Sequence, residues 1–274
     1  MLMTDMPRRT LIQTAVVLTG LIAVAPAVQA QARNHATLAM VAEPQTLDPM
    51  ASTADLVGTI MQHVYETLYT FDAKWNVVPM LAESLPKVGA DGKSYSITLR
   101  KGVMLHSGRE LNADDVVASL QRWMAQSPRG KAVGKEIDSI KTNGAIGIDI
   151  VLKQPYAPLL SQLALPSGMA AIMAKETIAS PLTAFVGTGP YQFKERKPDA
   201  FVVLTRFDKY SARKEAASGY GGKREAAIAE LRFVPVPNAN TRVEGALAGQ
   251  FHYADLLPIE ALGRLEKAGG KVVP

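Results

Sequence analysis

The spacing of apolar residues changes several times along the chain, and each change marks an element. Between Ala54 and Tyr69, the residues Val57, Ile60, Met61, Val64, Tyr65 and Leu68 recur at helical spacing. That pattern predicts one amphipathic helix across the stretch. The period then drops to two in Ser94-Tyr95-Ser96-Ile97-Thr98-Leu99-Arg100, a strand with Tyr95, Ile97 and Leu99 turned inward. Asp91-Gly92 just before it is a hairpin turn signal. Ile146, Ile148, Ile150 and Leu152 alternate in the same way. Between these strands Asn112 is placed as an N-cap, with Asp114 and Asp115 in a first turn whose dipole favours anions. That helix runs to about Ala125, with Val116, Val117, Leu120 and Trp123 inward. A short apolar run at 38–41 enters a loop bracketed by Pro44 and Pro49, each of which disfavours helix in the residue before it. A turn and short strand are expected over 72–79, helices over 157–165, 241–248 and 258–268, and strands over 202–205 and 230–236, with another starting at 271. Strands and helices interleave without a repeat, which gives an α/β class with mixed (α+β) sheets.

The first thirty residues read differently. Arg8 and Arg9 precede an apolar stretch from Thr10 to Val24, then Pro26 and the small-x-small tripeptide Val28-Gln29-Ala30. This is the order of a secretory signal peptide cleaved near Ala30. The stretch is interrupted by Gln13, Thr14, Thr19 and Gly20, and it falls short of the ~20 apolar residues of a bilayer span. The mature chain is therefore expected to be exported and soluble, in the periplasm.

Composition narrows the chemistry. The chain has 274 residues and no cysteine, which removes disulfides, thiolate metal sites, cysteine nucleophiles and a lipid-anchoring cysteine. The net charge of +5 is spread along the sequence, and the densest basic run, Lys209, Arg213 and Lys214, is short, so no nucleic-acid partner is expected. No zinc-protease, nucleophile-elbow or phosphate-loop motif is present. Gly187-Thr188-Gly189-Pro190 lacks the third glycine of a dinucleotide loop. The four histidines, His35, His63, His106 and His252, have no metal-ligand spacing. No catalytic residue, metal or cofactor is expected.

Five separated segments resemble the family 5 extracellular solute-binding proteins of ABC transporters, the dipeptide and oligopeptide type. They are Glu43-Pro44-Gln45-Thr46-Leu47-Asp48-Pro49; Val64-Tyr65-Glu66-Thr67-Leu68-Tyr69 with Pro79-Met80-Leu81-Ala82-Glu83-Ser84; the long stretch from Asp91-Gly92 through Leu99-Arg100-Lys101-Gly102-Val103, His106-Ser107-Gly108 and Leu111-Asn112-Ala113-Asp114-Asp115-Val116; Gly187-Thr188-Gly189-Pro190-Tyr191; and Gly249-Gln250-Phe251-His252-Tyr253-Ala254-Asp255. Met104, Ser107 and His252 depart from the residues usual in the family at those places.

The resemblance implies a type II periplasmic-binding-protein fold. One lobe would be built from 31–66 and 186–274, and a small extra domain from 67–185, after the signal at 1–30. Family members are longer, so the second ligand-clamping lobe is expected to be missing here. The implied function is the binding component of an ABC importer for small peptides: a monomer that closes about a hinge and docks on permease subunits. Closure needs two walls, so this chain alone is expected to bind weakly. Glu43, Gln45 and Thr46 are the first candidates to face ligand, because their loop leaves a strand end. Thr53 and Asp55, just before the first helix, come next. Capping or turn chemistry competes for all five. Gly187, Gly189 and Pro190 are read as a tight structural crossover. A periplasmic chaperone that kept the fold, and an exported hydrolase without a visible motif, are the alternatives.

Overall fold

A computed structural model describes residues 34–271. The signal peptide expected at 1–30 and the strand expected from 271 lie outside the described residues or at their limit. Strand β1 (His35–Met40) leads into a long loop and helix α1 (Asp55–Met61). The hairpin β2 (Tyr69–Phe71) and β3 (Val77–Pro79) follows, then β4 (Lys87–Val88) and β5 (Ser94–Thr98). Helices α2 (Ala113–Gln126) and α3 (Pro128–Gly134) precede β6 (Ile137–Asn143), β7 (Gly147–Leu152) and α4 (Leu159–Ala164). The remainder comprises β8 (Tyr191–Lys197), β9 (Phe201–Arg206), β10 (Glu230–Pro235), α5 (Ala239–Leu247), β11 (Tyr253–Ala254) and α6 (Leu262–Lys267).

Two larger sheets result. One has the order β11-β1-β10-β9-β8; the other is β4-β5-β7-β6. In the first, β1 lies parallel to both β10 and β11, while β9 and β8 run antiparallel. The second is wholly antiparallel, and it carries the two alternating segments seen in the sequence. Tyr95 faces Ile150 and Ile97 faces Ile148 in register, with all four side chains buried. Such cross-strand apolar pairs on one face hold the register, because a slip of one residue would turn the whole set to water.

Helix α2 starts as the sequence indicates. The Asn112 side chain accepts from the Asp115 amide at 3.2 Å, and the Asp115 carboxylate accepts from the Asn112 amide at 3.1 Å. This reciprocal cap satisfies two otherwise orphaned donors. Val116, Leu120 and Trp123 are buried as expected, while Val117 is only partly covered.

The helix expected over Ala54–Tyr69 is much shorter. After α1 the chain leaves helical geometry, although Val64, Tyr65 and Leu68 are all buried. The cause is competition for carbonyls. The Gly189 amide donates to the Val64 carbonyl at 2.9 Å, and the Tyr191 amide to the His63 carbonyl at 3.0 Å. A Cβ on Gly189 would sit 2.3 Å from the His63 oxygen, and one on Gly187 2.2 Å from the Val64 oxygen. The G-x-G stretch therefore lets one backbone cross closely over another. Tyr69 then belongs to β2.

One continuous apolar core runs under both sheets, from Met40 and Ile60 through Trp123 and Ile148 to Leu204 and Phe233. A satellite cluster of Val243, Ala261 and Leu265 joins α5 to α6. No helix among the described residues is long and apolar enough to cross a membrane.

Candidate functional site

Because β1, β10 and β11 are parallel, their carboxyl ends, Met40, Pro235 and Ala254, share one edge of the sheet. In open α/β sheets, crevices outside the carboxyl ends of strands are where ligands settle. Three loops leave this edge: 41–54, 236–238 and 255–258. Arg242 on α5 fixes two of them. Its guanidinium donates to the carbonyls of Val236 (2.7 Å), Pro237 (2.9 Å), Asp255 (2.9 Å) and Leu256 (3.0 Å). Leu256 itself has a positive φ of 44° and is 73% exposed, an uncommon pairing for a bulky residue.

The 41–54 loop is pinned at two points. Glu43 accepts from the Arg196 guanidinium on β8 at 2.8 Å and from the Asp199 amide at 2.7 Å. These bonds hold its carboxyl below the usual range, the Arg196 bond first. Farther on, Asp48 and Arg122 form a two-pronged pair at 3.0 and 2.5 Å. Asp48 is 7% and Arg122 6% exposed. Asp48 also accepts from the Met50 amide at 3.0 Å, and Arg122 donates to the Ala179 carbonyl at 3.1 Å.

Of the five residues singled out from sequence, Glu43 is thus tied into the frame, and the Thr46 hydroxyl accepts from the Asp48 amide at 3.0 Å in a turn. Gln45, Thr53 and Asp55 face solvent. The first lies on the loop as it leaves the sheet edge, and the other two where it enters α1.

The structure adds a residue that sequence reasoning missed. A Cβ on Gly168 would lie 3.0 Å from the Thr53 methyl and 3.3 Å from Arg129 Cδ, so the three residues adjoin. Arg129 Nη2 reaches the Ser167 hydroxyl only at 3.4 Å, and its buried Nε has no partner among the described residues. The Nε is enclosed, and it is the guanidinium's Nη end, held only at 3.4 Å by Ser167 and near the exposed Thr53, that suits a ligand's carbonyl or carboxylate oxygen. The signal for it was Ser127-Pro128, an extended residue followed by a proline able to open helix α3. The edge encloses little volume: the hollow lined by Met40, Glu43, Phe201 and Pro235 measures ≈ 10 Å³. It is an open wall. No group of three or more metal-ligating side chains converges among the described residues.

Comparison with known proteins gives the family. Residues 76–274 match the bacterial extracellular solute-binding proteins, family 5 Middle. The chain belongs to this family. Its members are binding proteins rather than enzymes. The glutathione-binding protein GsiB of Pectobacterium atrosepticum is 28% identical over 240 residues, covering 86% of this chain and 45% of that protein. A probable peptide ABC transporter periplasmic-binding protein, y4tO of Sinorhizobium fredii, is 28% identical over 227 residues, covering 80% and 42%. Among solved structures, the dipeptide-binding protein of Pseudoalteromonas sp. SM9913 in complex with Met-Leu superposes with a TM-score of 0.74 at 25% identity, covering 85% of this chain and 49% of that one. NikA from Brucella suis, in complex with Fe(III)-EDTA, gives a TM-score of 0.72 at 26% identity, covering 86% and 47%. The fold is thus the mixed α/β fold of type II periplasmic binding proteins. The chain spans a little under half the length of the relatives it matches.

Proposed function

We propose that this chain provides one wall of a peptide-binding cleft in the exported solute-binding component of an ABC importer. The observation that carries the reading is the 41–54 loop. It is anchored at Glu43 and Asp48 and leaves Gln45, Thr53 and Asp55 exposed, with Thr53 next to the underused Arg129. Glu43 and Thr46 shape the loop; Gln45, Thr53, Asp55 and Arg129 meet the solute. A peptide suits this wall, because its amides need both donors and acceptors when water leaves. The relatives named for peptides and glutathione support the same class.

In this reading the lobe comprises 31–66 with 186–274, and the small domain 67–185. Residues 1–30 direct export to the periplasm, and a permease in the inner membrane receives the loaded protein. Hinge closure needs an opposing wall of the kind found in proteins twice this length. By itself, this wall binds di- to tetrapeptides weakly, with Kd on the order of 1 mM, about −4 kcal/mol.

Amide NMR titration with mixed dipeptides and tetrapeptides tests this. Shifts at Gln45, Thr53, Asp55 and around Arg129, reduced by Arg129→Gln, are expected. Shifts confined to other surfaces, or none, would refute it, and so would micromolar binding by the chain alone.

A further inference from the structure

A second hollow, lined by no residue of the 41–54 loop, has the makings of a site of its own. It lies where the end of α1, the β2–β3 hairpin, the 164–169 segment and the 217–224 segment meet, and it measures ≈ 150 Å³. One water needs about 10–15 Å³ by this measure, so the hollow holds several waters or, in their place, a molecule of a few carbon atoms.

Its walls differ. Met80, Leu165, Pro166 and Met169 make one side apolar. Gln62, Glu66, Thr67, Thr70, Lys223 and Arg224 make the other polar. Among the described residues the Arg224 guanidinium makes one hydrogen bond, Nη2 to the Gln62 carbonyl at 2.8 Å. Its Nη1 stays 3.9 Å from Glu66, too far for direct bonding. Glu66 has a side chain with 0% exposure, and it is already served by the Tyr210 hydroxyl at 2.7 Å and the Thr188 hydroxyl at 2.9 Å. Both of its carboxylate oxygens are therefore engaged by hydroxyls, and neither takes up the Arg224 donors.

The surrounding charges do not cancel. Arg100, Arg213, Lys223 and Arg224 stand against Glu66, Glu215 and Glu225, with Arg213 bonded to Glu215 and Lys223 to Glu225. One positive charge is left over in this group, and of the two cations lining the hollow Lys223 is paired with Glu225 while Arg224 has no carboxylate in direct contact. Tyr220, 41% exposed, forms the rim and meets the Trp75 ring edge-on at 6.3 Å.

We infer that this hollow binds a short aliphatic monocarboxylate, its carboxylate on Arg224 and its carbon chain against Met80 and Met169. A planar guanidinium with free donors takes a carboxylate with two parallel bonds. A chain of a few carbons fills the apolar side.

The test uses the full chain with methyl-labelled methionine, and isovalerate as probe. Saturable shifts of the Met80 and Met169 methyl signals are expected. Isovaleramide, equal in shape and uncharged, should bind at least about tenfold more weakly, and Arg224→Gln should weaken isovalerate by about the same factor. Arg224→Lys should keep part of the affinity, and Lys141→Gln, on exposed β6, should leave it unchanged. Linear shifts without saturation overturn the inference. So do equal binding of acid and amide, or undiminished binding by a folded Arg224→Gln chain. If Arg224→Gln does not fold, the acid–amide comparison on the unaltered chain decides.

Discussion

The pair of Asp48 and Arg122 offers a sharp test of how the candidate wall is held. Asp48→Ala removes both prongs of the pair and leaves the Arg122 guanidinium buried with only the Ala179 carbonyl and the Met50 sulfur as partners. Breaking a buried pair from one side costs about 3–5 kcal/mol. The Met50 amide also loses its acceptor, adding about 1 kcal/mol. A chain of this size loses roughly 2–4 °C of Tm per kcal/mol, so the drop is on the order of 10 °C. Arg122→Met should cost a comparable amount, because it strands the carboxylate. The double replacement Asp48→Ala/Arg122→Met strands neither charge and should cost clearly less than the sum of the two. Urea unfolding followed by far-UV circular dichroism, read as a double-mutant cycle, measures this coupling. A single-mutant loss under about 1 kcal/mol, or costs that simply add, would refute the claim that this pair anchors the loop.

Three further outcomes are expected. His63, packed against Tyr191 and Phe233, has its pKa lowered from 6.5 to about 4, by burial first and then by the nearby Arg224. The unfolded chain therefore takes up the proton first, and stability falls as pH drops from 6.5 towards 4, by at most on the order of 3 kcal/mol; a His63→Gln chain that keeps this slope in pH-dependent urea melts would contradict the assignment. Gly189→Ala drives a methyl against the His63 oxygen at 2.3 Å, a backbone clash worth about 3 kcal/mol, visible as a lowered urea midpoint; an unchanged midpoint would remove the close crossover. Arg242→Ala strips four carbonyls of their donor, and should speed exchange of the Asp255 amide, which donates to the Ala39 carbonyl at 2.9 Å, by more than about tenfold, on a loss of about 1.5–3 kcal/mol; unchanged exchange there would mean that the loop is held by something else.

What the sequence made legible was what has a short-range cause. The Asn112 cap, the alternation in β5 and β7 and the Asp91-Gly92 turn need only their neighbours in sequence, and they stand where the pattern put them. The long first helix failed for the opposite reason. The residues that end it, Gly187 and Gly189, are more than a hundred positions away. Helix α3 and strands β6 and β8 carry too many polar residues to give a clean period, and their partners supply the missing order. The same holds at the candidate wall. The 41–54 loop could be picked out because it follows a strand end. Arg129 could not, because only folding sets it beside Thr53. Asp115 looked like an ordinary first-turn acid, and is buried under Arg109.

The strand order of the larger sheet has a consequence for how the protein is made. β1 is wedged between β10 and β11, so His35 waits for Glu230 and Leu38 for Tyr253, partners that leave the ribosome some two hundred residues later. Pairings of such long range close slowly. A nascent chain cut or stalled before residue 230 holds an apolar N-terminal strand with both edges bare, a state prone to stick to others of its kind.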